Sequence, residues 1–171
     1  MAVTLLTIGH GAVSADEFLS RCARGKLQAI VDVRSFPGSR RHPHFSRREL
    51  EKWLPEHGIS YAWEPRLGGF RKPRADSPNL GLRNEAFRGY ADHAATPEFS
   101  AALDEVVQHA GRERTAVMCA ETLWWRCHRR ILSDAVVLLH GAEVLHVLGD
   151  KLEPHRVSEA ARIVDGRLVY P

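Results

Sequence analysis

A chain of 171 residues with 44% hydrophobic and 26% charged residues is too short for two ordinary domains and too apolar for a disordered one, so we expect one globular domain over residues 1–171. No apolar run reaches the roughly 18 residues of a membrane helix and the first residues lack a secretion signal, so we expect a cytoplasmic protein without a membrane partner, whose three cysteines stay reduced. The net charge of +3 is uneven, since the stretch from Arg34 to Arg74 holds ten Lys/Arg and four Glu, a net +6.

Five short apolar runs have the length and composition of buried strands. The predicted strands span residues 3–9, 27–33, 59–63, 115–119 and 143–149. Segments with helical periodicity and capping sequences alternate with them. The predicted helices begin near Ser14 and Ser46, run over 83–94, begin again at Thr96, and run over 127–140. For the last twenty residues we expect a short helix and an extended end, both packed on the outside of the domain.

Strands that alternate with helices predict an α/β domain with a mostly parallel sheet of about five strands and helices on both faces. Ligands of such sheets bind beyond the carboxyl ends of the strands. Polar residues follow the predicted strand ends and should meet at that edge: His10, Asp32, Arg34, Trp63, Glu64, Cys119, Glu121 and His146. The segment 64–81 is rich in Gly, Pro and Arg without a hydrophobic period, which predicts a flap over this edge.

Cys119 ends a predicted strand just before a helix, where a helix N-terminus and nearby arginines lower a thiol pKa. Rhodanese-type sulfurtransferases place their nucleophile in this way. Their anion-binding loop is tight and ends in an arginine, whereas the loop here lacks glycine and carries Glu121, which would repel an anion. Cys119 is either a nucleophile or a buried structural thiol. Cysteines and histidines near it lack the paired spacing of a zinc site, so neither a metal nor another cofactor is expected.

Two carboxylates, Asp32 and Glu121, are predicted at strand ends, each with an arginine close in sequence. Either carboxylate could activate water or stabilise a developing cation, while Arg34 and Arg129 hold a substrate. The alternative is two structural ion pairs, Asp32 with Arg34 and Glu121 with Arg129. His10 could transfer protons or be a satisfied histidine at a strand end.

Several stretches together resemble the family catalogued as domain of unknown function 488. They are TIGHG, VDVRSFPGSRRHPHF, LGGFRKPR after GISYAW, MCAETLWWRCHRRILSDAVVLLHGAEVLHV and GRLVYP, in the family's order over essentially the whole chain. The family pattern maps onto His10, Asp32, Arg34, Pro37, Ser39, Arg40, Tyr61, Leu67, Gly68, Gly69, Cys119, Glu121, Cys127, His128 and Arg129. The resemblance implies a compact α/β fold somewhat like rhodanese and a shared polar site, but no reaction. Position 11 is glycine, where many relatives carry serine.

The basic stretch and the aromatic residues favour an enzyme that acts on nucleic acid, DNA rather than RNA, and most specifically a hydrolase that excises or processes a modified base. The expected catalytic residues are Asp32, Glu121, His10 and Cys119. The expected substrate-binding residues are Arg34, Ser39, Arg40, Tyr61, Gly68, Gly69, Trp124, Trp125, Cys127, His128 and Arg129. Two alternatives stay open: thiol chemistry on a small sulfur-containing or acyl substrate through Cys119, and a nucleic-acid-binding module without catalysis. A charge run of this kind also occurs on surfaces that are merely solvated.

Overall fold

A six-stranded sheet forms the centre of the protein, which we describe from a computed structural model covering residues 2–171. Its strands are β1 (Thr4–Gly9), β2 (Ala29–Asp32), β3 (Ser60–Trp63), β4 (Thr115–Cys119), β5 (Glu143–Leu148) and β6 (Lys151–Pro154). They lie in the order β3-β2-β4-β1-β5-β6. The first five are parallel and β6 is antiparallel to β5, which confirms a mostly parallel sheet.

Five helices cover the sheet, and four of them begin where a side chain caps the first turn. They are α1 (Ala15–Arg24), α2 (Arg47–Glu56), α3 (Glu85–Ala94), α4 (Pro97–Ala110) and α5 (Arg129–His140). The side chains of Ser14, Ser46, Asn84 and Thr96 each accept a hydrogen bond from the backbone amide three residues later. The capping sequences at Ser14 and Ser46 predict two of these bonds. Short 3-10 helices span Pro43–Phe45, Pro65–Leu67 and Trp124–Arg126.

The helices lie on both faces of the sheet because successive strand residues point to opposite sides. Leu6 and Ile8 of β1 belong to the apolar cluster that holds α1 and α2. Leu5 of the same strand and Val117 of β4 belong to the cluster that holds α3, α4 and α5. The result is the α/β architecture predicted from the sequence, with one core on each face.

The carboxyl-terminal segment differs from the predicted short helix and outer extension. After β5 a turn at Gly149 and Asp150 leads into β6, and a second hairpin joins β7 (Arg162–Val164) to β8 (Arg167–Val169). Asp165 and Gly166 form its two-residue turn with positive φ angles of 51° and 73°, a conformation that Asp-Gly sequences favour. The end of the chain is not peripheral, since Tyr170 is fully buried.

None of the helices in residues 2–171 combines the length and the apolar character that crossing a bilayer demands.

Candidate functional site

The site lies where neighbouring parallel strands send their helices to opposite faces. β1 leads to α1 on one face and β4 leads to α5 on the other, while Gly9 and Cys119 pair at the ends of these strands. The backbones remain joined a little further, as the amides of His10 and Gly11 donate to the carbonyls of Cys119 and Ala120 at 3.0 and 2.9 Å. Diverging connections of this kind leave a crevice beyond the strand ends.

A cavity of about 360 Å³ opens at this crevice. It is lined by Arg34, Ser35 and Phe36 after β2, by Gly69 and Phe70, by Cys119, Ala120 and Glu121 after β4, and by Cys127 and His128 before α5. Six predicted site residues therefore meet there. A cavity of similar volume, about 380 Å³, lies between Asp92 and the β7–β8 hairpin but contains none of them.

Asp32 lies buried under the cavity with its carboxylate fully hydrogen-bonded. The Arg34 guanidinium binds both oxygens at 2.8 and 2.6 Å, the Arg34 amide donates at 3.1 Å, and the Tyr61 hydroxyl donates at 2.5 Å. Burial and the Asp32 charge raise the pKa of Tyr61, which keeps the phenol protonated as a donor. Four donors occupy the lone pairs of the carboxylate, so Asp32 holds Arg34 in place. The structural ion pair foreseen from the sequence is present.

His10 orients the same arginine from the other side. Its Nδ1 donates to the carbonyl of Gly11 at 2.8 Å, and its Nε2 lies 3.3 Å from Nη1 of Arg34 and accepts from it. Burial lowers the pKa of His10 to about 4, so the ring is neutral near pH 7. The imidazole stacks on Phe45 at 4.6 Å and is not among the residues that line the cavity.

His128 presents an acceptor near the cavity. Its Nε2 donates to the carbonyl of Val33 at 2.8 Å, which leaves Nδ1 with a free lone pair. Burial lowers the pKa of His128 to about 4, so this nitrogen remains an acceptor near pH 7. Gly69 lies directly against it, since a Cβ at position 69 would be 3.0 Å from Nδ1. Glycine at this position keeps the acceptor uncovered.

Cys119 and Cys127 form a close pair of thiols at the cavity wall, with their sulfurs 3.3 Å apart. Nε of Arg129 donates to both sulfurs, at 3.0 Å to Cys119 and 3.4 Å to Cys127. The pKa of Cys127 falls to about 6, first because the Cys119 thiol donates to its sulfur and further because of Arg129. Burial raises the pKa of Cys119 well above the usual thiol value. The more acidic thiol is thus Cys127 rather than Cys119.

Glu121 is the carboxylate that reaches the cavity. The sequence suggests an ion pair between Glu121 and Arg129, but Arg129 does not contact the Glu121 carboxylate. It donates instead through Nη2 to the backbone carbonyl of Glu121. The loop can approach β1 this closely because residue 9 is glycine, and a Cβ there would lie 1.9 Å from that carbonyl oxygen. The Glu121 carboxylate accepts one hydrogen bond, from the amide of Leu123 at 3.1 Å, and makes no ion pair within residues 2–171. It is half-buried and lines the cavity.

Arg129 is wholly buried and supports the site from beneath. The prediction that it binds substrate is therefore wrong. Its Nη1 donates to Thr7, whose hydroxyl lies 2.5 Å from Nδ1 of His146. His146 continues to His155 at 2.9 Å and His155 to Asp134 at 2.7 Å. This buried chain places His146 inside the fold rather than at the sheet edge, contrary to the prediction.

Two exposed aromatic residues at the cavity were missed by sequence reasoning. Phe36 and Phe70 are 72% and 84% exposed, and their ring centroids are 5.6 Å apart. Phe70 also adopts φ +58°, a left-handed conformation that bulky side chains rarely take. The available signal was their position inside two family stretches, VDVRSFPGS and LGGFRKPR.

The remaining predicted residues lie outside the cavity. Trp124 is buried with its ring stacked on His146 at 4.2 Å, so it has no exposed face for a base, and Trp125 is exposed elsewhere. Trp63 donates to the carbonyl of Arg34 at 2.7 Å. Supporting or surface roles fall to three others: Ser39 accepts from the amide of His42, Gly68 packs on Ser35, and Arg40 is exposed. Glu64 pairs with Arg66 at 2.8 Å.

The predicted flap is only partly a flap. Gly69 and Phe70 border the cavity, but the rest of segment 64–81 is anchored to the body of the protein. Asp92 of α3 accepts from the Arg74 amide, the Ser77 hydroxyl and the Asn79 side chain. Within residues 2–171 no group of three or more His, Cys, Asp or Glu side chains is arranged to hold a metal ion.

The fold and the site define an α/β protein with a cavity at the carboxyl edge of a mainly parallel sheet. A family model described as Domain of unknown function DUF488 matches residues 14–136, and the chain belongs to this family. The match confirms the resemblance read from the motifs, and it contains every residue that lines the cavity. No curated protein and no solved structure matches the chain.

Proposed function

We propose that the protein is a cytoplasmic hydrolase that acts on nucleic acid, with DNA as the expected polymer, and excises or processes a modified base in the cavity beside Phe36 and Phe70. The exposed aromatic pair is the observation that carries this proposal. Two phenyl rings are exposed to solvent at the mouth of the cavity, and one of them has a strained backbone conformation. Such cost without a packing benefit is typical of binding sites.

A nucleobase is a ligand that suits these rings. Base–aromatic stacking contributes about 1–3 kcal/mol per base and works for any base, because each has a π face. A base swung out of its strand would lose its neighbours and regain stacking on Phe36 or Phe70. The acceptor nitrogen of His128 and the guanidinium of Arg34 then lie at the cavity to bind the polar edge of the base.

Glu121 supplies the chemistry in this proposal. Cleavage of an N-glycosidic bond joins a water oxygen to the anomeric carbon and breaks the bond from that carbon to the base nitrogen. The water proton passes to the Glu121 carboxylate, and the base leaves with a proton drawn from solvent. Asp32 is a weaker candidate for this role because its lone pairs are occupied by Arg34 and Tyr61. Asp32 instead positions Arg34.

The loop after β2, the start of α2 and segment 64–81 together supply a surface for phosphates. Some of the basic stretch is neutralised, as Arg47 pairs with Glu51 and Arg66 with Glu64. A second group is exposed and makes no ion pair within residues 2–171: Arg40, Arg41, Arg48 and Lys72. Binding through such residues releases counterions and is therefore sensitive to salt. Replacing Arg40 and Arg41 by alanine is expected to weaken binding about equally for all sequences and to flatten the salt dependence.

Thiol chemistry is a second candidate function, favoured by the lowered pKa of Cys127. It would agree with the rhodanese-like relationship implied by the family resemblance. The nucleophile would then be Cys127 rather than Cys119, and the substrate a small sulfur-containing or acyl compound. The loop between Cys119 and Cys127 supports the hydrolase instead. Its carbonyls at Glu121 and Thr122 point toward Arg129, and the Glu121 side chain adds a negative charge that would repel an anion.

The experiment is a screen of the reduced protein against DNA and RNA oligonucleotides that carry single modified bases. Mass spectrometry detects free base, and alkaline treatment reveals abasic sites. We expect release of at least one modified base by the wild type and little by Glu121→Gln. Sulfur or acyl transfer from a small donor, with no base released from any oligonucleotide, would favour the thiol candidate. If the protein shows neither activity but binds oligonucleotides in a salt-sensitive way, it is a binding module.

A further inference from the structure

We propose that Cys119 and Cys127 are a reversible redox pair, which a peroxide converts into a disulfide in the wall of the cavity. The inference is independent of what the cavity binds. It rests first on proximity, because the two sulfurs are already in contact at 3.3 Å and need to approach only to the bonding distance of about 2.05 Å. Both residues line the cavity, which gives a small oxidant access.

The surroundings of Cys127 stabilise a thiolate. The backbone amide of Arg129, the first residue of α5, donates to its sulfur at 3.4 Å, and Nε of the same residue donates at 3.4 Å. Among the neighbouring titratable groups, Tyr90 and Cys119 have raised pKa values and His128 is neutral, while Glu121 on the same cavity wall carries a negative charge that the guanidinium of Arg129 must offset. A thiolate is the form that reacts with peroxides. The arrangement assigns attack to Cys127 and resolution to Cys119.

The reaction balances with hydrogen peroxide as the oxidant. The Cys127 thiolate attacks one peroxide oxygen, so that an S–O bond forms and the O–O bond breaks, and the leaving hydroxide takes a proton to become water. The Cys119 thiol then gives up its proton, and its sulfur attacks the sulfenic sulfur of Cys127. An S–S bond forms, and the S–O bond breaks to release a second water. Two thiols lose two electrons and one peroxide gains them, and a small dithiol reverses the change by exchange.

Oxidation would alter the site from within. Arg129 donates to both sulfurs and also holds the carbonyls of Glu121 and Thr122. A neutral disulfide is a poorer acceptor than a thiolate, so Arg129 loses part of its support when the pair is oxidised. Cys22 provides a contrast, because it lies 1% exposed in the other core and burial raises its pKa to about 12. It should not react.

The test treats the reduced full-length protein with a few equivalents of hydrogen peroxide, alkylates the remaining thiols and maps peptides by mass spectrometry. We expect a Cys119–Cys127 cross-link within one chain, an alkylated Cys22, and recovery of both thiols with a dithiol. The rate should fall about tenfold between pH 7 and pH 5, because a thiol with a pKa of about 6 is mostly ionised at the first and mostly protonated at the second.

Variants identify the attacking residue. Cys119→Ser should accumulate a sulfenic acid at Cys127 that dimedone traps, Cys127→Ser should form neither product, and Cys22→Ser should cross-link like the wild type. Folding is checked by circular dichroism, and the wild-type map stands even if a variant unfolds. Three alkylated cysteines after treatment of the folded wild type, or a cross-link that includes Cys22, would overturn the proposal. The assay contains no nucleic acid, so its failure is separate from failure of the base screen, which uses reduced protein.

Discussion

Replacing Phe70 with asparagine should strengthen the fold and weaken binding. A left-handed backbone costs a residue other than glycine roughly 1–2 kcal/mol, and asparagine adopts it far more readily than phenylalanine. The ring at position 70 is 84% exposed, so its removal sacrifices little buried surface. We therefore expect the free energy of unfolding to rise by up to about 1 kcal/mol. Loss of one stacked base should raise the Kd for an oligonucleotide about 5- to 150-fold, the equivalent of about 1–3 kcal/mol.

Urea unfolding measures the first effect, and fluorescence anisotropy with a labelled single-stranded oligonucleotide at fixed low salt measures the second. Leu80→Asn is the matched control, because Leu80 is 71% exposed and does not line the cavity. It should leave the Kd unchanged. If Phe70→Asn binds as tightly as the Leu80 control, the ring is not a stacking surface. If it unfolds more easily than the wild type, the strained conformation is not costly here.

Three further predictions concern stability, each measured by urea unfolding. Burial lowers the pKa of His10 and His128 to about 4 and that of His146 to about 2, whereas histidines of the unfolded chain have a pKa of about 6.5. Below pH 6.5 the unfolded chain therefore binds protons that the folded protein does not, and the free energy of unfolding should be about 4 kcal/mol lower at pH 5.5 than at pH 7.5. A flat profile would count against three neutral histidines. Gly9→Ala should cost about 2–3 kcal/mol, since its Cβ meets a backbone oxygen at 1.9 Å, and wild-type stability would show that the loop after β4 moves freely. Asp134→Asn should cost at least about 3 kcal/mol because this buried carboxylate accepts from three donors, and a loss below 1 kcal/mol would mean that the network contributes little.

The sequence carried the architecture and the place of the site because both follow from local pattern. Apolar runs ended by polar residues mark parallel strands, and Asp32 and Cys119 end β2 and β4 as predicted. Capping at Ser14 and Ser46 depends only on residues within one turn, so those helices were also predictable. The Asp165-Gly166 hairpin carries an equally local signal, whereas the prediction for the last twenty residues was a short helix and an extended end.

Other features depend on contacts that no local pattern encodes. Arg129 and Trp124 belong to a basic aromatic cluster of the sequence that predicts surface residues, but both are buried. Arg129 contacts Thr7 and the thiols, and Trp124 stacks on His146. The approach of Cys119 to Cys127 depends on how the loop of residues 120–126 folds back toward α5. An exposed phenylalanine is likewise visible only when the rest of the fold is known, which is why Phe70 was missed.

The most direct test of the proposed hydrolase is single-turnover release of a modified base by the wild type, Glu121→Gln and Cys127→Ser under reducing conditions, with unfolding curves for each protein. Loss of the water-activating carboxylate should slow base release about a hundredfold or more, the usual scale for a general base, while the thiol variant keeps measurable hydrolysis. A folded Glu121→Gln protein that releases base at the wild-type rate, beside a folded Cys127→Ser protein that releases none, would contradict the carboxylate mechanism.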